Sequence, residues 1–502
     1  MLLAAVVLLF ASGRVQNSLN RDRVELGITI SQPLLDAPPL LAMTTQALGG
    51  FRGLISNFLW MRANDLQIND QYFEAAQLAN WITDLEPHFT QVWVYQGWNM
   101  AYNISVKFKD YNDRWRWVQN GIDLLRDRGL LYNPDDLLIY RELAWFYQHK
   151  MGANLDDANV YYKTQWAEEM TPFFGPHGTN FDALINPRTA EEQTNAYILR
   201  TKYKIDPVFA QKVNSEWGPL DWRLPEAHAI YWGSLGLEKS KEHPDKVVQT
   251  DVITVRRIIY QSMMQAFQHG QIIDNPFTHN AELGPNLAII PKVNDAYETM
   301  MQEDPNDAHN IEIGHRNFLL DATYYLYEAN RVPEARKWYN DVLQKYPEKT
   351  ILENDPNSYP TNVPMDVYCV ARVQGDVKDT SPQDTTASIE GLLIRSYEDL
   401  AIGEDDRYQG LRLLAIKVWQ NYMHKIESYK ADINRVGLPP FTQIDKDVLS
   451  QLLDPVNGLP YDARAIIYSE LHLPGDPNKP YGVISTNSVV QMPPSTNASP
   501  IQ

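Results

Sequence analysis

Apolar residues recur at helical spacing from Phe51 onward, in pairs of segments that are separated by a turn and closed by a proline. In the first pair the turn is Asn69-Asp70 and the closing residue is Pro87. The spaced residues are Leu54, Phe58, Met61 and Leu66 before the turn, and Tyr72, Ala75, Ala76, Ala79 and Ile82 after it. Neither amphipathic helix can bury its apolar face alone, so the pattern predicts a helical hairpin that packs against its neighbours.

The same arrangement returns three times, in pairs that close at Pro134, Pro172 and Pro347. Proline stops a helix because it lacks an amide hydrogen and crowds the preceding turn. Residues 51–172 are therefore expected to form three antiparallel helix pairs without a strand. The expected boundaries lie near Asn69, Pro87, Tyr111, Pro134, Gly152 and Pro172.

Similar residue types recur at fixed places within the pairs. The first helix carries Leu59, Trp93, Tyr140 or Leu319, followed in three pairs by Ala63, Gly97 or Ala144, whereas the last pair has Thr323. The second helix carries Ala75, Gly121, Ala158 or Ala335. Small side chains let helix axes approach to roughly 8–10 Å. With a period of about 34 residues, the pattern resembles the tetratricopeptide repeat family. The resemblance implies an all-α, right-handed superhelical array of antiparallel helix pairs.

The chain is expected to divide into eight segments. They are an apolar segment at 1–13, a tether at 14–50, three repeats at 51–172, an irregular insertion with a divergent helix pair at 173–290, a fourth repeat at 291–350, a loop at 351–388, a helical region at 389–433 and a proline-rich extended tail with short helices at 434–502.

The apolar run from Met1 to Ala11 is shorter than the about 20 residues that a membrane-spanning helix needs. It fits the core of a signal peptide, the end of a retained membrane anchor, or a buried terminal helix. We expect a retained anchor, with the body on the extracytoplasmic, periplasmic side. Arg14, Arg21 and Arg23 follow the run and favour the opposite orientation.

Composition and motifs exclude several classes of protein. The net charge of −19 argues against nucleic acid as the main partner, because that partner needs a basic face. The single cysteine, Cys369, excludes zinc ribbons and cysteine-ligated iron–sulfur clusters. His309 and His315 are six residues apart and share no helix face. The sequence therefore predicts no metal site, no cofactor and no catalytic residues.

A candidate binding surface follows from the repeat pattern, because the first helices of stacked pairs line the concave face of such an array. The residues expected there are Trp60, Asn64, Trp98, Asn99, Tyr102, Arg141, Trp145 and His149. Some family members bind a C-terminal carboxylate with Asn and Lys or Arg, a set that Asn64, Asn99 and Arg141 match only in part. The aromatic residues favour an apolar or aromatic partner segment. The alternative is that the tryptophans are core packing between repeats.

The sequence leaves two classes of function open. The first is a membrane-tethered scaffold, or an accessory subunit of a larger membrane complex, that binds a partner protein without catalysis. The second is an α/α helical carbohydrate-active enzyme, which needs about six regular hairpins and two carboxyl groups that face a cleft. The sequence shows irregular hairpins and does not single out such a carboxyl pair.

Overall fold

The computed structural model describes residues 14, 15, 18, 21, 52–244, 247–277, 280–352, 355–374, 381–428 and 437–481. This part of the chain is mostly helical, and it contains a single two-stranded sheet. Residues 1–142 and 143–502 form two compact units. The predicted apolar segment at 1–13 and nearly all of the predicted tether at 14–50 lie outside the described residues.

The first unit is built from consecutive helices whose breaks follow the predicted turns. They are α1 (Arg52–Ile68), α2 (Tyr72–Leu85), α3 (Thr90–Trp98) and α4 (Tyr111–Asp123). Helix α3 continues into a π-helix, Asn99–Ile104, and then a 3-10 turn, Ser105–Lys107. Helix α4 continues into a π-helix, Leu124–Gly129, and then a last α-helical turn, Leu130–Tyr132. No strand is present among residues 52–142, as the periodicity predicts.

Local chemistry sets these breaks. Asp70, in the turn after α1, has a left-handed φ of 60° that reverses the chain. The Asp110 carboxylate caps α4 by accepting hydrogen bonds from the backbone amides of Asn112 and Asp113, at 2.9 and 3.2 Å. Between the helices Ile82, Val92 and Trp93 are fully buried, so the core of this unit lies where the pairs meet.

The second unit holds the remaining helices and the hairpin. Helix α5 (Leu137–Trp145) crosses the division and continues as a π-helix, Phe146–Gly152. The elements that follow are α6 (Asn159–Phe174), α7 (Phe181–Ile185), α8 (Ala190–Thr201), α9 (Pro207–Trp217), α10 (Pro225–Ser240), α11 (Gln249–His269), β1 (Gln271–Asn275), β2 (Asn280–Gly284), α12 (Ile290–Glu303), α13 (Ala308–Glu328), α14 (Val332–Lys345), α15 (Met365–Gln374), α16 (Pro382–Ile402), α17 (Asp405–Ser428), α18 (Phe441–Leu452) and α19 (Tyr461–Glu470).

Neighbouring helices pack as pairs in this unit too. Helix α10 packs on α11, which is the predicted divergent pair, and α13 packs on α14, which is the predicted fourth pair. Helices α16 and α17 form a further pair joined by Gly403, whose φ of 87° suits a glycine at the end of a helix. Helices α18 and α19 lie in the segment predicted to be a tail with short helices, of which residues 482–502 lie outside the described residues.

Helix α6 ends at Phe174, close to the expected boundary at Pro172, so the proline lies inside the last turn. Two other sequence predictions differ from the structure. The insertion at 173–290 contains an antiparallel hairpin, with Gln271 paired to Gly284, that helical periodicity cannot reveal. The predicted loop at 351–388 contains α15 and the start of α16, because the run Tyr368-Cys369-Val370-Ala371 is buried and outweighs the turn-forming residues around it.

Ala75 tests the close packing of the first pair, because its side chain on α2 is fully buried. We expect Ala75→Leu to lower the free energy of unfolding by about 1–3 kcal/mol through overpacking. Gln77→Leu on the exposed face of the same helix is the control and should change it by less than about 0.5 kcal/mol. Chemical denaturation of both variants measures the difference, and equal stability of the two would contradict this packing.

Candidate functional site

Trp98 and Tyr102 form an aromatic stack at the end of the first helix of the second pair. Trp98 is the last residue of α3, and Tyr102 lies four residues later in the π-helical segment. Their ring centroids are 5.6 Å apart and the ring planes differ by 18°. Both side chains are partly exposed. The π turn therefore presents two stacked rings at the surface of the first unit.

Trp145 and His149 repeat this arrangement in the next pair. Trp145 is the last residue of α5, and His149 lies four residues later in the π-helical segment. Their centroids are 4.3 Å apart and the planes differ by 12°. Burial, followed by the nearby Lys150 charge, lowers the pKa of His149. The imidazole is therefore neutral at physiological pH and stacks on Trp145 as an uncharged ring.

Three other predicted residues stand in different surroundings. Trp60 packs on Tyr95, with centroids 4.9 Å apart, and against the core of Ala79, Ile82 and Val92, so it joins the first two pairs. Asn64 is exposed on α1. Arg141 is partly exposed and its guanidinium forms an ion pair with the adjacent Glu142 at 2.8 Å.

Asn99 does not belong to the predicted binding surface. It is fully buried, its side-chain amide donates to the Tyr72 carbonyl oxygen at 3.2 Å, and its carbonyl accepts from Asn103 at 3.0 Å. Residue 99 follows Trp98, and successive helical residues point about 100° apart, so the asparagine faces α2 while the tryptophan faces outward. Asn99 connects helices and is not available to a partner.

The apolar stripe of α1 also differs from expectation. Leu54, Phe58 and Ile68 are 64%, 64% and 73% exposed, and Met61 is exposed as well. Helix α1 instead buries Ala63 and Leu66 against its neighbours. The sequence pattern identified the stripe but could not show which face meets α2. Exposed apolar patches of this kind mark interaction surfaces.

A buried polar cluster in the second unit was not predicted. We call Lys163, Glu226 and Gln265 the Glu226 cluster. Glu226 is 2% exposed and Lys163 is 4% exposed. Glu226 Oε2 and Gln265 Oε1 have no hydrogen-bond partner among the described residues. Buried polar atoms are normally satisfied, so these two oxygens mark an unusual interior.

Gly152 lies beside two members of this cluster, Gln265 and Glu226. A Cβ atom at Gly152 would lie 3.1 Å from Gln265 Oε1 and 3.4 Å from Glu226 Oε1. The two oxygens therefore approach the same point beside the end of the π-helical segment. A side chain at this position would press on both polar groups, which explains the glycine.

Burial dominates the electrostatics of the Glu226 cluster. It raises the pKa of Glu226, an effect that the nearby Lys163 charge opposes, and it lowers the pKa of Lys163. His228, two residues further along α10, is also fully buried, and burial lowers its pKa to about 4. Its Nε2 lies 2.8 Å from the Trp222 carbonyl oxygen, so Nε2 carries the hydrogen of the neutral ring. The sequence signal was two ionisable residues within the otherwise apolar run Leu224–Tyr231.

Among the described residues no group of three or more His, Cys, Asp or Glu side chains is placed to hold a metal ion. None of the described helices combines the length and the apolar character needed to cross a membrane. His315 bonds to Tyr346 Oη and Asn294 Oδ1, each at 2.8 Å, within the helix packing.

Comparison with known proteins adds no relative. No family model, no curated protein and no solved structure matches this chain. The fold and the site thus define an all-α protein of paired helices with part-exposed aromatic stacks, and its function has to be argued from its own residues.

The Glu226 cluster gives a prediction for stability against pH. The folded chain holds the Glu226 proton more tightly than the unfolded chain does, because its pKa is raised above 4.5. Its contribution to the free energy of unfolding is therefore complete below the unfolded pKa and falls as the pH rises toward the folded one. We expect Glu226→Gln to remove this loss, so the variant gains stability relative to wild type as the pH rises above 4.5.

Thermal melting of wild type and variant across that pH range measures the difference. Glu191→Gln, at an exposed position in the first turn of α8, is the control and should follow wild type throughout. Parallel curves for wild type and Glu226→Gln would show that Glu226 does not hold a proton in the folded interior.

Proposed function

We propose that this chain is a non-catalytic scaffold of tetratricopeptide-like helix pairs, tethered to a membrane, that holds a partner protein. It acts alone or as an accessory subunit of a larger membrane complex. The observation that carries the proposal is the repeated aromatic stack, Trp98 with Tyr102 and Trp145 with His149, at the end of a first helix. The Trp98 stack lies in the first unit and the Trp145 stack lies in the second unit.

The chemistry of the stacks supports a protein partner. Tryptophan and tyrosine are enriched among residues that dominate binding energy, since they bury a large area with few rotatable bonds. Neutral His149 adds a second flat ring beside Trp145 without a charge to desolvate. The surface therefore suits an apolar or aromatic segment better than a carboxylate, particularly since Asn99 is buried and Arg141 is paired with Glu142.

The location of the stacks in π-helical segments supports the same function. A π turn inserts an extra residue into a helix at an energetic cost, and such turns are frequent at functional sites. Here two of the three described π-helical segments, Asn99–Ile104 and Phe146–Gly152, begin directly after the tryptophan of each stack, whereas the third, Leu124–Gly129, follows Asp123. The exposed stripe of α1 would provide a further apolar contact in the first unit.

The membrane tether is the part of the proposal that rests on sequence alone. The apolar run from Met1 to Ala11 would hold the body at a membrane, on the extracytoplasmic side. A tether would keep the stacks close to partners in the same membrane and so raise their effective concentration.

Tryptophan truncation tests the partner contact. We expect Trp98→Ala and Trp145→Ala to weaken partner binding by at least about 2 kcal/mol, with little change in melting temperature. The partner is first captured from a mild detergent extract with wild-type bait and identified, and its Kd for each purified variant is then measured.

Two other tryptophans provide the controls for this experiment. Trp93→Ala, at a fully buried position, should lower stability by about 3–5 kcal/mol. Trp81→Ala, at an exposed position on the second helix of the first pair, should leave both Kd and melting unchanged. Early melting of Trp98→Ala and Trp145→Ala would show that they are core residues and would overturn the proposal.

Removal of Met1–Gly13 tests the tether. We expect the shortened chain to move from the membrane fraction to the soluble fraction, because its only predicted anchor has been deleted. Fractionation is repeated in cells that lack the identified partner, since the partner could retain the body at the membrane. A full-length chain that is soluble without detergent would contradict the tether.

A further inference from the structure

A cavity of about 220 Å³ lies in the second unit beside the start of α14. One wall comes from the turn and first residues that lead into α12, and the other from the first two turns of α14. The lining residues are Leu287, Ala288, Ile290, Pro291, Arg331, Glu334, Lys337 and Trp338. None of these residues belongs to the aromatic stacks or to the Glu226 cluster.

The lining combines an apolar floor with a polar rim. Trp338 is 6% exposed, and together with Leu287, Ile290 and Pro291 it forms the apolar part. Arg331 bonds Glu334 twice, through Nε and Nη2, at 2.7 and 2.6 Å. These two charges therefore neutralise each other at the rim.

Lys337 supplies the remaining charge. Its ammonium nitrogen lies 4.7 Å from the centre of the Trp338 ring. Glu334 lies near enough for the two charges to interact, but among the described residues no carboxylate oxygen lies within ion-pairing distance of the ammonium. Arg331 and Lys337 against Glu334 leave the lining with one net positive charge, on a chain whose net charge is −19. A cation with no ion-paired carboxylate, beside a concave apolar surface, is suited to an anionic group on an apolar ligand.

We propose that this cavity binds a small organic anion with an aromatic or branched apolar body. The body lies against Trp338, Leu287 and Ile290, and the anionic group pairs with the Lys337 ammonium. The volume is below the about 300–1,000 Å³ of pockets for drug-sized ligands, so the site suits a small ligand. This site is independent of the proposed scaffold function, because its residues lie on other helices.

Phenylacetate and phenylacetamide test the charge requirement, since they have the same shape and differ in charge. Each compound is titrated into the full chain, and its Kd is measured by calorimetry or ligand-observed NMR. We expect phenylacetate to bind at least about tenfold more tightly than phenylacetamide. Equal affinity of the two compounds, or no binding of phenylacetate, would overturn the proposal.

Three variants locate the binding. Lys337→Met keeps the stem of the side chain but removes its charge, and should reduce the preference for phenylacetate to less than about threefold. Ala288→Leu fills the cavity and should weaken both compounds by more than about tenfold. Lys349→Met removes an exposed lysine outside the cavity and should leave both affinities unchanged. If the affinity for phenylacetate is unchanged in Lys337→Met or in Ala288→Leu, phenylacetate binds elsewhere and the proposal is wrong. The same conclusion follows if Lys349→Met lowers the affinity equally.

Discussion

The helix pairs of this chain depend on close approach at small residues. A Cβ atom at Gly97 would lie 3.0 Å from Leu125 Cγ, and one at Gly233 would lie 2.9 Å from Ile259 Cγ1. At Gly410 it would meet the Glu328 carbonyl oxygen at 2.0 Å. Each glycine lets a helix pass directly over its neighbour, so the large side chains around it can interdigitate. The same device recurs in both units, although their helices differ in length.

The π-helical segments show how this packing coexists with exposed aromatic rings. In the second pair Trp93 and Asn99 are fully buried, while Trp98 and Tyr102 are partly exposed on the same continuous helix. The buried asparagine binds the start of α2 through the Tyr72 carbonyl, which fixes the rotation of the helix. The buried face thus holds the helix in position, and the opposite face carries the two stacked rings at the surface.

The sequence predicted the helix breaks well because turns and prolines act locally. Asn69-Asp70, Tyr111 and Gly152 all mark the observed breaks to within a few residues. Periodicity could not tell which face of α1 is covered: Leu54 and Phe58 of the predicted stripe are exposed, whereas Leu66 is buried. Asn99 was misplaced for a related reason: its partner, the Tyr72 carbonyl, is distant in sequence and has no local signature.

Sequence reasoning missed the Glu226 cluster because its members are far apart in the chain. They come from α6, α10 and α11, and two of them approach Gly152 at the end of a π-helical segment, so only the folded chain brings them together. A fully buried carboxyl with an unsatisfied oxygen destabilises the fold, and replacing it with an apolar side chain would be the simpler solution. Natural sequences break such local rules mainly at functional or strained sites. In this chain the exception lies beside the π turn that carries His149, so the irregular helix and the unsatisfied interior belong to the same part of the second unit.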